Sequence, residues 1–240
     1  MANPSFNEKT LQRIRQDGRV ADADAVMTLN GTINKAGILI LLTMAGGAAG
    51  WGMQSFAVLM GVMILSLVLA MLIIFKPERA ASLSQAYAFS EGIMLGSISA
   101  IYARAYAGIV TNAMVLTLSC LILMLTLYRF RIIRVTDRLR TGIVVATGAL
   151  AITYLVSMVM GLFGAAIPMI HQGGTIGIGF SLLVVGIAAF NLLLDFDLIE
   201  QAYMQRAPKY MEWYGGFALL VTLVWLYLEI LRLLSKLNRK

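Results

Sequence analysis

Seven apolar runs, each about twenty residues long, occupy most of the chain after residue 31. As a helix rising about 1.5 Å per residue, a run of that length crosses the roughly 30 Å hydrocarbon layer of a bilayer. Lipid offers no partner to a backbone N–H or C=O, so a continuous apolar run that lacks strand-like alternation must satisfy its own polar groups as a helix. The runs fall at 33–52, 56–75, 85–106, 108–128, 141–163, 175–194 and 213–234. The four prolines, Pro4, Pro77, Pro168 and Pro208, lie outside them, as expected of residues that punctuate helices. The fold class is therefore all-α: a polytopic membrane protein with a seven-transmembrane-helix bundle. Residues 1–31 form a polar tail and residues 32–240 one seven-helix membrane domain. The tail is too long and too acidic for the n-region of a signal peptide, so the first span is expected to stay uncleaved.

Composition excludes a soluble alternative. Of 240 residues, 60% are hydrophobic and 13% charged, whereas a soluble domain carries about 25% charged residues. The polar shell of a soluble fold cannot be assembled from so few. The net charge of +7 sits between the apolar runs, with no basic surface interleaved with aromatics, so nucleic acid is not an expected partner. The charge instead sets topology. With the N-terminus in the cytoplasm, fourteen of the nineteen lysines and arginines lie inside, five of them (Arg129, Arg131, Arg134, Arg138 and Arg140) between spans four and five. The basic C-terminal end, with Arg232, Lys236, Arg239 and Lys240, then lies outside and runs against the rule. The expected location is the cell inner (cytoplasmic) membrane, with the lipid bilayer and cations as partners. The lone Cys120, inside span four, excludes an internal disulfide and a cysteine-based zinc site. No cofactor is expected.

Carboxylates are costly in lipid, and a span that carries one faces protein or water. Glu91, Asp195 and Glu229 lie within spans or at their very edge, and Asp197, Glu200 and Glu212 lie just beyond. No span holds a basic residue near its middle, so these acids have no obvious ion-pair partner at the same depth. At helical spacing Asp195 shares a face with Asn191, Ala188, Ser181 and Gly177, and Glu229 shares one with Thr222, Ala218 and Gly215. Glu91 shares one with Ala88, Ser99 and Tyr102, interrupted by Leu95 and Ile98. Carboxylates gathered in a low dielectric resist double ionisation, and their shared proton or a hard cation such as calcium then controls them. The residues thus point to a pH latch and ion path at Asp195, Glu229 and Glu91, supported by Asn191, Asp197, Ser181 and Thr222. The competing reading has Asp195 and Asp197 reaching the interface at the end of span six. A plain hairpin of spans six and seven would separate Asp195 from Glu229, and spacing leaves open whether they meet.

Pairs of small residues, Gly46 with Gly50, Gly92 with Gly96 and Gly173 with Gly177, mark close helix packing. They leave the oligomeric state open.

The residues 191–200 (Asn-Leu-Leu-Leu-Asp-Phe-Asp-Leu-Ile-Glu), 207–214 (Ala-Pro-Lys-Tyr-Met-Glu-Trp-Tyr) and 226–231 (Leu-Tyr-Leu-Glu-Ile-Leu) carry a resemblance. So do 33–37 (Ile-Asn-Lys-Ala-Gly) and 132–137 (Ile-Ile-Arg-Val-Thr-Asp). The chain resembles the Bax inhibitor-1 (transmembrane Bax inhibitor motif) superfamily, in its bacterial branch, from about residue 30 onward. The resemblance implies six helices wrapped around a central C-terminal one. It also implies a pH-sensitive calcium leak whose proton-controlled latch is built from Asp195 and Glu229, the two residues that would meet calcium. The chain departs from that pattern in having Glu rather than Asp at 229, farther along the chain from its partner. Residues 56–75 also lack the basic residue that some members place in helix two to hold the latch.

Three function classes follow. The first is a pH-gated cation leak, most naturally for calcium. The second is a non-conducting protein that regulates a stress response or membrane-protein quality control through a membrane-protein partner, with the tail as docking segment. The third, an intramembrane enzyme, lacks both a Gly-x-Gly-Asp stretch and a His-Glu-x-x-His motif; the single histidine, His171, lies in a loop beside Gln172 and reads as solvated. The chain is therefore read as not an enzyme.

Overall fold

The computed structural model describes residues 26–53, 55–163 and 174–238. Residues 1–25 of the N-terminal tail, His171 and Gly173 lie outside the described residues, and residues 29–31, expected in the tail, already belong to α1. Seven long α-helices follow one another: α1 Leu29–Gly50, α2 Phe56–Phe75, α3 Ala80–Ala105, α4 Ile109–Arg129, α5 Asp137–Leu162, α6 Thr175–Met204 and α7 Met211–Leu237. A 3-10 turn at Pro77–Arg79, opened by its proline, joins α2 to α3. No strand occurs among the described residues; a single bridge pairs Val26 with Pro208.

Six of the seven helices, all but α3, are long and apolar enough to cross a membrane. Their boundaries follow local chemistry. Thr28 caps α1 by accepting the Gly31 N–H at 2.9 Å, and Thr136 caps α5 by accepting that of Leu139 at 3.3 Å. Gly108, with φ +73°, turns the chain into α4. The expected limits of span two, 56–75, coincide with α2.

Span six differs from the expectation. The apolar run ends at Leu194, but α6 continues ten residues further, to Met204. Neither glycine nor proline occurs from Asp195 to Met204, so the backbone has no reason to stop. Asp195, Asp197 and Glu200 therefore lie inside the helix and do not mark its end. Likewise α7 begins at Met211, which brings Glu212 into its first turn.

The residues fall into two compact units. Of the described residues, one unit takes in those of 102–194 and 222–238, the other those of 26–101 and 195–221. In the second unit, α1 and α3 cross with backbone against backbone. A Cβ on Gly46 would overlap the Phe89 carbonyl, one on Gly50 that of Ile93, one on Gly92 that of Thr43 and one on Gly96 that of Gly47. These contacts advance together along both helices, so α1 and α3 run parallel, as two helices separated by one crossing must. Ser97 adds a hydrogen bond to the Gly50 carbonyl at 2.8 Å. The start of α7 lies along α1 in the same sense. Glu212 meets Thr28, Gly215 meets Thr32, and Gly216 meets Ala36 and Leu39.

Burial separates the helices by task. In α2 only 11% of the apolar window is buried, against 61% in α7, the highest share among the six. The exposed leucines, methionines and valines of α2 present an apolar surface of the kind lipid covers. The more polar helix α3 keeps five of its polar residues inside, with Ser84, Ser90, Glu91, Ser97 and Ser99 all buried.

Candidate functional site

The three acids singled out by the sequence are all withdrawn from the surface. Asp195 is 0% exposed, Glu229 2% and Glu91 7%. The reading in which Asp195 reaches outward at the end of span six is thereby set aside. The small and polar residues that share its face are buried as well: Asn191, Ala188 and Ser181. The Glu229 face is equally enclosed, with Thr222 and Ala218 buried. Asp197 is only half-buried and accepts a hydrogen bond from Gln201 Nε2 at 2.7 Å, one helical turn on.

In the unit that holds most of α4, α5 and the end of α7, Glu229 sits in a closed set of contacts. Tyr154 of α5 donates its hydroxyl to Glu229 Oε1 at 2.9 Å. Arg232 Nη1 lies 2.9 Å from Oε1 and 3.2 Å from Oε2, and donates to the Tyr154 hydroxyl at 2.8 Å. The guanidinium also stands over the Tyr154 ring, 5.1 Å from its centroid. The expectation that the acids lack a basic partner is thus corrected at Glu229. The partner is three residues along the same helix, where the side chains of one face meet. The spacing was visible in the sequence; Tyr154, in an aliphatic run, gave no such signal.

One turn further, Lys236 is buried and donates to the Gly177 carbonyl at 3.0 Å and to Ser181 Oγ at 2.9 Å. Ser181 therefore supports a lysine, a role its place on the Asp195 stripe did not suggest. Asn191 donates to Thr147 Oγ1 at 2.8 Å and to the Ile187 carbonyl at 2.9 Å, tying α6 to α5.

The other unit holds Glu91 and Asp195. Ser66 of α2 donates its hydroxyl to Ser90 Oγ, next to Glu91 on α3, at 3.0 Å. Tyr87, one turn earlier, packs edge-on against Phe217 of α7, with centroids 4.9 Å apart. This unit also contains a carboxylate that sequence reasoning placed in a loop. Glu212 is buried and accepts from the Thr28 N–H at 2.8 Å, from the Thr28 hydroxyl at 2.9 Å and from Lys35 Nζ. Beside it, Met27 N–H donates to the Ala207 carbonyl at 2.9 Å.

Asp195 and Glu229 fall in different units. Among the described residues no three histidine, cysteine or carboxylate side chains come together as a metal-binding group. What the two units present is buried, hydrogen-bonded carboxylates inside a helical membrane protein, the arrangement in which ionisable groups in membranes line pathways or hold switches.

A profile of the Bax inhibitor 1 like family matches residues 3–239, essentially the whole chain. The chain belongs to that family. Among curated proteins none matches it. The family assignment and the apolar helices together make it a multi-pass membrane protein.

Proposed function

We propose that the protein is a pH-sensitive cation leak of the bacterial cytoplasmic membrane, with calcium as its ion and no enzymatic activity. Seven helices cross the bilayer, the N-terminus is cytoplasmic, and Asp195, Glu229 and Glu91 are the carboxylates that gate the path. The observation that carries this reading is that all three acids are buried in protein, where lipid would have forced a neutral residue. The shared direction of α1, α3 and the start of α7 supports the seven-crossing topology. In that topology α3 crosses as well, its serines and Glu91 shielded by the protein.

Calcium efflux from proteoliposomes at several pH values tests the reading. Wild type should conduct, with a rate that depends on pH, and Asp195→Asn and Glu229→Gln should each remove that dependence. Flux unchanged by both substitutions overturns it.

One observation favours a second reading, a non-conducting interaction protein that regulates a stress response or membrane-protein quality control. The residues leading into α1 are fastened to the α6–α7 loop through Val26 with Pro208 and Met27 with Ala207. A partner held by the tail would thereby act on the start of α7. Deleting residues 1–25 should abolish partner capture and leave flux intact if this reading holds.

A further inference from the structure

We propose that Arg232 is a tethered cation: it occupies the Glu229 carboxylate, excludes mobile cations from it, and must be displaced before this acid can serve an ion. This rests on the leak reading for its purpose, but its geometry stands alone. A guanidinium keeps its charge at any physiological pH. Glu229 is therefore neutralised by an ion pair that no change of pH removes from the arginine side.

The arrangement fills the position a passing cation would need. One guanidinium nitrogen reaches both carboxylate oxygens, at 2.9 and 3.2 Å, and the Tyr154 hydroxyl takes the remaining approach to Oε1 at 2.9 Å. The same phenol accepts from the arginine, and its ring lies under the guanidinium. The carboxylate is held by three hydrogen bonds from two side chains of the chain.

Burial gives the pair a direction. The Glu229 side chain is 3% exposed and that of Arg232 35%. The arginine lies on the open side of a buried acid, as a stopper lies in a neck. Arg232 is partly exposed at the protein surface and can swing outward, while Glu229 is enclosed and cannot follow it. A buried carboxylate left bare is costly, so the arginine leaves only in exchange for another positive charge. A mobile cation such as calcium can supply it. Lys236, buried one turn beyond, adds a second basic group at the same end of α7 and makes entry less favourable while Arg232 stays in place.

The test is calcium titration of the purified full-length protein in detergent, read as the unfolding midpoint. Wild type should show no calcium-dependent shift. Arg232→Gln should gain about 3–5 °C at saturating calcium, the stabilisation a ligand gives when it binds only the folded state. Arg232→Gln combined with Glu229→Gln should lose that gain. The proposal is overturned by an Arg232→Gln variant with no calcium shift, by a double variant that keeps it, or by a wild type that already shows it in full. Should Arg232→Gln fail to fold, Tyr154→Phe carries the test. It removes the hydroxyl that accepts from the arginine and donates to Glu229, keeps the ring beneath the guanidinium, and should give a smaller shift in the same direction; no shift overturns the proposal. A wild type that leaks no calcium would sink the leak reading while leaving this comparison intact.

Discussion

Glu212 and Thr28 are joined twice. The carboxylate accepts from the threonine N–H and from its hydroxyl, while that same hydroxyl oxygen accepts the Gly31 N–H and caps α1. The first turn of α7 is thereby part of the N-cap of α1, and Lys35, about two turns into α1 from the cap, completes the charge. A negative charge at a helix N-terminus is favourable, and burial strengthens it.

Removing this carboxylate should cost more than removing its cation. Glu212→Ala leaves Thr28 and Lys35 without their acceptor and should lower stability by about 2–4 kcal/mol. Lys35→Ala leaves both threonine bonds and should cost about half as much. Thermal unfolding of the two variants in detergent checks the order. Equal losses would mean that the threonine bonds contribute nothing.

Gly31 is small because Glu212 is there: a Cβ would overlap the carboxylate. Gly31→Ala should therefore destabilise the wild type and be nearly neutral, or favourable through helix propensity, in a Glu212→Ala background. A double-mutant cycle on unfolding midpoints measures this coupling, and additive effects would refute it.

The α1–α3 crossing makes a contrast within one helix. Gly46→Ala and Gly96→Ala push a methyl group into backbone, which cannot withdraw, and should cost about 2–4 kcal/mol. Gly37, also in α1, has open space around its position, and Gly37→Ala should be neutral or add up to about 1 kcal/mol. Midpoints measured side by side decide the matter.

Lys236 should resist amine-reactive labelling in the folded protein, while Lys76 and Lys209, both exposed, react readily. Peptide mass mapping before and after unfolding reads the difference. Equal labelling in the folded state would contradict its burial against Gly177 and Ser181.

The helices were legible because apolarity of the right length leaves lipid-spanning segments few other choices; α2 is recovered to the residue. The end of α6 was not, because apolarity stops at Leu194 while helix formation, a property of the backbone, does not. Burial of Asp195, Glu229 and Glu91 followed from the cost of charge in lipid. The Arg232 partner was in principle readable from its three-residue spacing. The Glu212–Lys35 pair was not, since its members stand 177 positions apart and nothing local in either marks the other. Lys236 was assigned to an outer tail by charge counting, which registers sign but not the direction a side chain takes.

The high burial of α7 has a consequence for synthesis. This helix leaves the ribosome after the other six described helices. Lys35 and the cap of α1 enter the bilayer long before Glu212 exists, and the Phe217 ring that packs on Tyr87 also arrives late. Until then the earlier helices hold polar groups that lipid cannot satisfy, so maturation waits on α7, and a chain cut short before it would be left for the cell's proteases.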